Sequence, residues 1–345
     1  MQVQISLKPI HPESHVRGVG IYTRELSQAL RKNYPQDHYY LATVSHHKID
    51  LLHYPYFEPF FLTLGFFHLH PFIVTIHDLI PLKYPTHCKP GVRGNFKWKI
   101  QKLLIKRAAH IITDSSASSV DIQKILSIPP RKISVIPLAP SFLRSTVKIN
   151  DSVRAEYKLP SRFALYVGDV NWNKNIPGLI REFSRLENNT LHLVLVGKAF
   201  TASPPTPELL SIKEAIVKSG VEHKIHILGY VPNHHLPAIY CLATLYIQPS
   251  FDEGFGFPLL EAMSSSCPVI SSNRGSLPEV GGRAVQYFDP GKPGDLSEKI
   301  SLLSRSPSLR EELIARGHTQ LKKYSWDQTA KLTHEVYEKI LGINS

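Results

Sequence analysis

Short β-like runs alternate with helical spacings along this chain, and the alternation runs twice. The first round begins with Val3–Leu7, followed by Gly20–Lys32, where Ile21, Leu26 and Leu30 keep a helical spacing. Tyr39–Val44, Leu51–Tyr54 and Phe72–Ile76 read as further strands. Phe96, Ile100, Leu103, Leu104 and Ala108 fall at i, i+4, i+7, i+8 and i+12, which predicts an amphipathic helix. His110–Thr113 and Ile133–Ile136 are strand candidates around a helix near Ser118–Leu126. Lys148–Pro160 is polar and less patterned, and reads as a linker. The pattern then restarts with strands at Phe163–Val167, Leu191–Val196, Ile225–Leu228, Leu245–Gln248 and Val269–Ser271, and helices at Ile176–Leu186 and Leu209–Lys218. Such alternation predicts parallel sheets with crossover helices, here two doubly wound α/β domains facing a central cleft. The expected division is 1–150, 151–325 and a closing helical segment 326–345. A length of 345 residues suits two domains.

Three strands of the second round end in glycine: Gly168, Gly197 and Gly229. Ligands of open α/β sheets sit beyond the strand C-termini, and glycine lets backbone approach them. The same glycines also serve as simple tight turns. No G-x-x-x-x-G-K-[ST] occurs and no G-x-G-x-x-G follows a strand, so P-loop and standard dinucleotide chemistry are unsupported. Cys88, Cys241 and Cys267 are too few and too scattered for a disulfide framework or a cysteine-rich zinc site, which fits a reducing compartment. The histidine pairs His46-His47, His68/His70 and His234-His235 lack acidic or cysteine partners and read as surface loops. No signal peptide is evident, and the most apolar segment, Pro59 to Phe67, is too short to span a bilayer.

The segment richest in chemistry is Ser250-Phe251-Asp252-Glu253-Gly254-Phe255-Gly256-Phe257-Pro258-Leu259-Leu260-Glu261. Pro258 fits the first position of a helix, and Gly254 and Gly256 before it should leave backbone N–H groups open to an anion. Glu253 and Glu261 would flank the helix start and accept hydrogen bonds from sugar or ribose hydroxyls. The blander reading is a helix whose acids complement its dipole.

Glu253 to Glu261 resembles the E-x7-E motif of retaining glycosyltransferases of family 4, which have the GT-B fold. Gly18-Val19-Gly20-Ile21-Tyr22 is similar to that family's N-terminal G-x-G loop, and Thr75-Ile76-His77-Asp78-Leu79 to its T-x-H-D-L segment. Tyr166-Val167-Gly168 with Asn173-Lys174-Asn175 resembles its first donor-domain strand and R-K-N stretch. Ile111-Ile112-Thr113-Asp114-Ser115, Ile136-Pro137-Leu138-Ala139-Pro140 and Tyr324-Ser325-Trp326 fall in matching order.

The resemblance implies roles. Glu253, His77 and Lys174 would be catalytic: Glu253 near the reacting carbon, His77 near the transferred sugar, Lys174 on the diphosphate. Glu261 would bind ribose, and Gly254, Phe255, Gly256 and Phe257 the sugar hydroxyls and β-phosphate. Gly229, Tyr230 and Val231 would meet the base, and Gly18 and Gly20 would close over the phosphates. Asn173 stands where the family usually has Arg, so Lys198 or Arg274 would supply a second cation. Asp78 either orients His77 or caps the next turn. With no Asp-x-Asp in the chain, no metal or other cofactor is expected. The reaction implied is transfer of a hexose, with GDP-mannose favoured as donor, to a cell-surface glycan or lipid-linked acceptor. UDP- or dTDP-sugar transfer, a GT-B epimerase or phosphorylase, and a catalytically weak sugar-nucleotide-binding relative are the alternatives.

Charge adds a further expectation. Residues 1–150 hold 19 basic and 8 acidic side chains, a net of +11, whereas residues 151–345 hold 21 and 20, a net of +1. From Leu79 to Thr113 there is no acid, and Arg93, Lys97, Lys99, Lys102 and Lys106 accompany Phe96 and Trp98. A basic helix with aromatics reads as an anionic membrane surface, or else as the solvated outer face of a packed helix. No nucleic-acid module accompanies the charge, so nucleic acid is not an expected partner. The expected location is cytoplasmic, peripheral at the inner face of the cell membrane.

Overall fold

The computed structural model describes residues 1–7, 18–43, 48–142, 151–187 and 190–343. The His46-His47 pair, the end of the predicted strand at Val44 and the start of the predicted linker at Lys148 lie outside the described residues. The chain forms two compact units: Met1–Ser141 with Tyr324–Ser345, and Phe142–Lys323. The divisions fall at 141/142 and 323/324 where the sequence placed them at 150 and 325. Part of the predicted linker is a helix, Asp151–Glu156.

Unit 1 holds a six-stranded parallel sheet of β1 (Gln2–Ser6), β2 (His38–Ala42), β3 (Leu51–Tyr54), β4 (Phe72–Thr75), β5 (His110–Thr113) and β6 (Ile133–Val135), in the order β2-β1-β3-β4-β5-β6. Unit 2 holds a second sheet of β7 (Phe163–Val167), β8 (His192–Val196), β9 (Ile225–Gly229), β10 (Leu245–Gln248), β11 (Val269–Ser272) and β12 (Val285–Phe288), in the order β12-β11-β10-β7-β8-β9. Every residue of β3, β4, β5, β10 and β11 is buried. Helices cover both faces of such sheets, which is why these strands are near-continuous apolar runs with no alternation. β12 escaped the sequence reading, since Val-Gln-Tyr-Phe mixes polar and apolar residues.

The order reverses once in each sheet, between β1 and β3 and between β7 and β10. These are the switch points where an open α/β sheet leaves a crevice beyond its strand ends. The helix Trp326–Leu341 returns to unit 1, capped by the Ser325 hydroxyl accepting from the Gln328 N–H. It packs along the helix Gly18–Asn33. Its Thr329 hydroxyl donates to the Pro137 carbonyl at 2.7 Å, and its Tyr337 hydroxyl meets His53 Nδ1 at 2.8 Å.

Two sequence expectations need correction here. Gly18 and Gly20 are not in a loop; they begin the helix Gly18–Asn33, whose buried face starts at Gly20, Ile21 and Tyr22. The basic helix exists as Gly91–Ile105, and its predicted apolar stripe is split: Leu104 and the following Ala108 are in the core with Ile100 packed against them, whereas Phe96 and Leu103 face outward. Gly94, Gln101, Leu104 and Ile105 point inward, whereas Val92, Phe96 and Leu103 are 88%, 65% and 69% exposed. The tether is polar: the Gln101 carboxamide oxygen accepts from the Thr63 hydroxyl at 2.9 Å and the Leu64 N–H at 3.2 Å. Those bonds bring the irregular segment 57–71 alongside, with Phe57 and Leu64 buried and Phe61, Leu62, Phe66, Phe67 and Leu69 exposed.

Candidate active site

In unit 2 the site is built where β7 and β10 diverge. Gly197, after β8, lies so close to the neighbouring strand end that a Cβ would sit 2.0 Å from the Gly168 carbonyl oxygen. Only glycine permits that approach. After β7, the single turn Trp172–Lys174 brackets the loop that follows β10. The Asn173 carbonyl accepts from the Phe251 N–H at 2.7 Å, and its side-chain amide donates to the Asp252 carbonyl at 2.9 Å. The Asn175 amide donates to the Pro249 carbonyl at 3.0 Å. Asn173 is thus a buried strut of the loop. Between these two struts, Lys174 Nζ reaches both carboxylate oxygens of Glu253 at 2.8 Å.

Glu253 is 8% exposed and well supplied with donors. Its Oε1 also accepts from Gln248 Nε2 at 2.7 Å and from the Ser250 hydroxyl at 2.6 Å. The Tyr246 hydroxyl donates to the Gln248 carboxamide oxygen, which fixes the amide so that its N–H₂ faces Glu253. Burial, and then the charges of Tyr166 and Glu253, hold the Tyr246 phenol well above its ordinary range, so it stays a donor. Behind the loop, the Ser276 N–H and hydroxyl donate to the Glu253 carbonyl at 3.2 and 2.9 Å.

The helix that follows is Phe257–Ser264, so Pro258 is its second residue. Gly256 caps it at φ 104°, a conformation that strains side-chain-bearing residues, and a Cβ there would meet Leu277 at 2.9 Å. Gly254, Phe255 and Gly256 are buried, where the sequence placed exposed N–H groups. Glu261 is also buried, with the Tyr240 hydroxyl donating to it at 3.2 Å.

Among the other expected donor residues, Val231 is buried, whereas Tyr230 is half exposed after Gly229. Lys198 is exposed and has no ion pair among the described residues. Arg274 is engaged, its guanidinium 2.6 Å from the Asp289 carboxylate.

In unit 1, His77 follows β4, and both ring nitrogens are occupied. Nδ1 lies 2.6 Å from Asp114 Oδ2, after β5, and Nε2 lies 3.1 Å from the Pro55 carbonyl, after β3. Asp78 caps the next turn, accepting from the Ile80 N–H at 2.9 Å. The carboxylate that meets His77 is therefore Asp114. Sequence reasoning quoted Asp114 in its motif without giving it a role, and gave no role to Gln248 or Ser250. The signal for Asp114 was a lone acid directly after an apolar strand. No cluster of three or more His, Cys, Asp or Glu able to hold a metal exists among the described residues.

Two six-stranded parallel sheets, each reversing order once, with a glutamate–lysine pair at one switch point, define the class: a GT-B glycosyltransferase fold. Two family models match, glycosyl transferases group 1 over residues 149–320 and glycosyltransferase family 4 over residues 7–139. The chain is 32% identical over 271 residues to the O-antigen chain mannosyltransferase B of Escherichia coli, covering 77% of this chain and 70% of that one. The chain belongs to the family 4 glycosyltransferases. Among solved structures it resembles the sucrose-phosphate synthase of Thermosynechococcus elongatus (TM-score 0.79, 18% identity, 99% of each chain). It also resembles Anabaena Alr3699/HepE in complex with UDP-glucose (TM-score 0.75, 14% identity, 98% of this chain and 100% of that one).

Proposed function

We propose that the protein transfers mannose from GDP-mannose to a lipid-linked glycan acceptor, with retention of configuration and without a metal. The observation that carries this reading is the Lys174–Glu253 pair at the unit 2 switch point, beside the glycine-capped helix. A cation and a fixed carboxylate there suit a departing diphosphate and a developing positive sugar centre. The mannosyltransferase relative favours mannose.

When donor binds, Lys174 would exchange Glu253 for the diphosphate, and Lys198 would supply the second positive charge. Glu253 would face the reacting carbon and Glu261 the ribose. Gly168 and Gly197 would let the nucleotide approach the strand ends, and Gly229 to Val231 would meet the base. Purified protein should release GDP from GDP-mannose in the presence of EDTA, and Glu253→Gln should cut that release by about a hundredfold or more. Turnover that EDTA stops and Mn²⁺ restores would sink the metal-free reading. Stabilisation by UDP or dTDP but not by GDP in a thermal-shift screen would move the donor to another sugar nucleotide.

The acceptor side would work at an anionic membrane face. No helix among the described residues is long and apolar enough to cross a membrane. The exposed face of Gly91–Ile105 instead offers Val92, Phe96 and Leu103 among Arg93, Lys99, Lys102 and Lys106. Phe61, Phe66, Phe67 and Leu69 extend the patch, with Lys97 Nζ 5.3 Å from the Phe61 ring centre and Lys102 Nζ 5.8 Å from that of Trp98. Cations near an anionic surface contribute about 1 kcal/mol each, and the aromatics add apolar burial. Liposomes with anionic lipid should carry the protein in flotation and neutral ones should not. Equal flotation with both, or with neither, would remove the membrane from this proposal.

A further inference from the structure

Asp114 is an unusual carboxylate. It is 2% exposed, and its Oδ1 is buried without a hydrogen-bond partner among the described residues. Its one side-chain partner among the described residues is His77 Nδ1, through Oδ2. A buried acid so poorly supplied is retained at a cost unless something needs its charge.

What it holds is a ring with no spare lone pair. Nε2 of His77 faces a carbonyl oxygen, which has no proton to give, so Nε2 carries a hydrogen. Nδ1 faces the carboxylate. Either the ring is an imidazolium against a carboxylate, or it is neutral and takes a proton from a carboxylic acid.

The neighbours on every side favour the imidazolium. On the strand side, His53 is fully buried between the Tyr337 hydroxyl at 2.8 Å and the Thr75 hydroxyl at 2.8 Å, and burial holds it neutral, with a pKa of about 3. No competing cation therefore sits on that side. From the first helix of unit 1, Tyr22 meets the His77 ring at right angles with centroids 4.9 Å apart, and its burial keeps the phenol protonated. Tyr56 stacks at 6.5 Å, Asp78 adds a negative charge next in the chain, and Glu58 lies beyond it. Burial opposes the charge on His77. The Asp114 carboxylate and its hydrogen bond, the Pro55 carbonyl and Asp78 outweigh burial and hold the ring above the ordinary histidine range.

We propose that Asp114 is a positioning residue that locks His77 as a doubly protonated ring, so that His77 serves the transfer as a fixed positive charge, both its N–H groups being held by Asp114 and Pro55, and never as a base. The proposal rests on the transferase reading above. It has a chemical consequence within that reading. The bond from the sugar carbon to phosphate oxygen breaks as the bond to the acceptor oxygen forms, and the acceptor's proton cannot go to His77. It goes to an oxygen of the departing diphosphate.

The test reads the ring directly and needs no substrate. The full chain is labelled with ¹⁵N-histidine, and the His77 signals are assigned by their loss in His77→Gln. Both His77 nitrogens should report a bound proton at about pH 7.5, where an ordinary histidine is roughly nine-tenths neutral. In Asp114→Asn the ring should deprotonate at least tenfold more readily. A wild-type ring with one bare nitrogen at that pH overturns the proposal, whether or not any donor is turned over. So does an unchanged titration in a folded Asp114→Asn. If donor turnover is found, Asp114→Asn should move its alkaline limb to lower pH and leave donor KM within about twofold. Turnover that instead rises as His77 loses its proton would also overturn it.

Discussion

Each unit places a buried carboxylate against a cation beyond its strand ends, and the two pairs are provisioned in opposite ways. Glu253 takes Lys174 on both oxygens, with Gln248 and Ser250 added on one. Asp114 takes His77 on one oxygen and nothing on the other. Support decides how each pair behaves when its cation is drawn away. Glu253 keeps two neutral donors if Lys174 moves to a phosphate, so its Oε1 stays hydrogen-bonded without the lysine. Asp114 has no such reserve: His77 is its one side-chain partner among the described residues.

That contrast can be broken at several points. The largest effect should come from Lys174→Met, which removes the cation proposed for the diphosphate; nucleoside diphosphate release should fall by more than about a hundredfold, while chemical denaturation should show a loss of only about 1–2 kcal/mol because Gln248 and Ser250 still serve Glu253. Next comes Glu253→Gln, which should cut donor turnover by about a hundredfold or more, read as nucleoside diphosphate release. The Asp114 pair should instead show its weight through pH. The folded pKa of His77 is raised, so its contribution is complete below the unfolded value of about 6.5 and is lost as pH climbs through the folded value. The stability gap between wild type and Asp114→Asn should therefore be widest in mild acid and close in alkali; a gap that widens in alkali would mean that His77 is neutral in the fold. Gln248→Leu should lower turnover only about tenfold, in keeping with one hydrogen bond to a charged group among several. Arg274→Ala, which removes an exposed pair with Asp289, should leave the melting temperature unchanged.

The sequence made the framework legible because parallel strands buried on both faces are written as apolar runs, and Leu191–Val196 or Leu245–Gln248 can hardly be anything else. Glu253, Lys174 and His77 were legible through their neighbours in the chain. What stayed hidden was what lies far apart in sequence and close in space. Asp114 is 37 residues from the imidazole it holds, and Asn173 is 79 from the carbonyl it supports. Asn173 read as a departure from the Arg that the family resemblance implies; in the structure its amide braces the loop before Glu253. The helix Gly91–Ile105 misled for a different reason. Its inward face combines Leu104 and Ile105 with Gln101 and a glycine, so only part of the predicted stripe is buried and Phe96 and Leu103 point outward.

The return of the chain to unit 1 sets an order of events during synthesis. Unit 2 lies wholly between Ser141 and Tyr324, so it can complete its sheet while the last segment is still inside the ribosome. Unit 1 cannot: His53 waits for Tyr337, 284 residues later, and Asp37 for His334, 297 residues later. Contacts of such separation form late. A nascent chain halted before Trp326 would carry a finished unit 2 and an unfinished unit 1 whose buried histidine and first helix lack their cover. The helix Trp326–Leu341 is then the step that commits unit 1, and quality control that samples unfinished chains would find its target in the half made first.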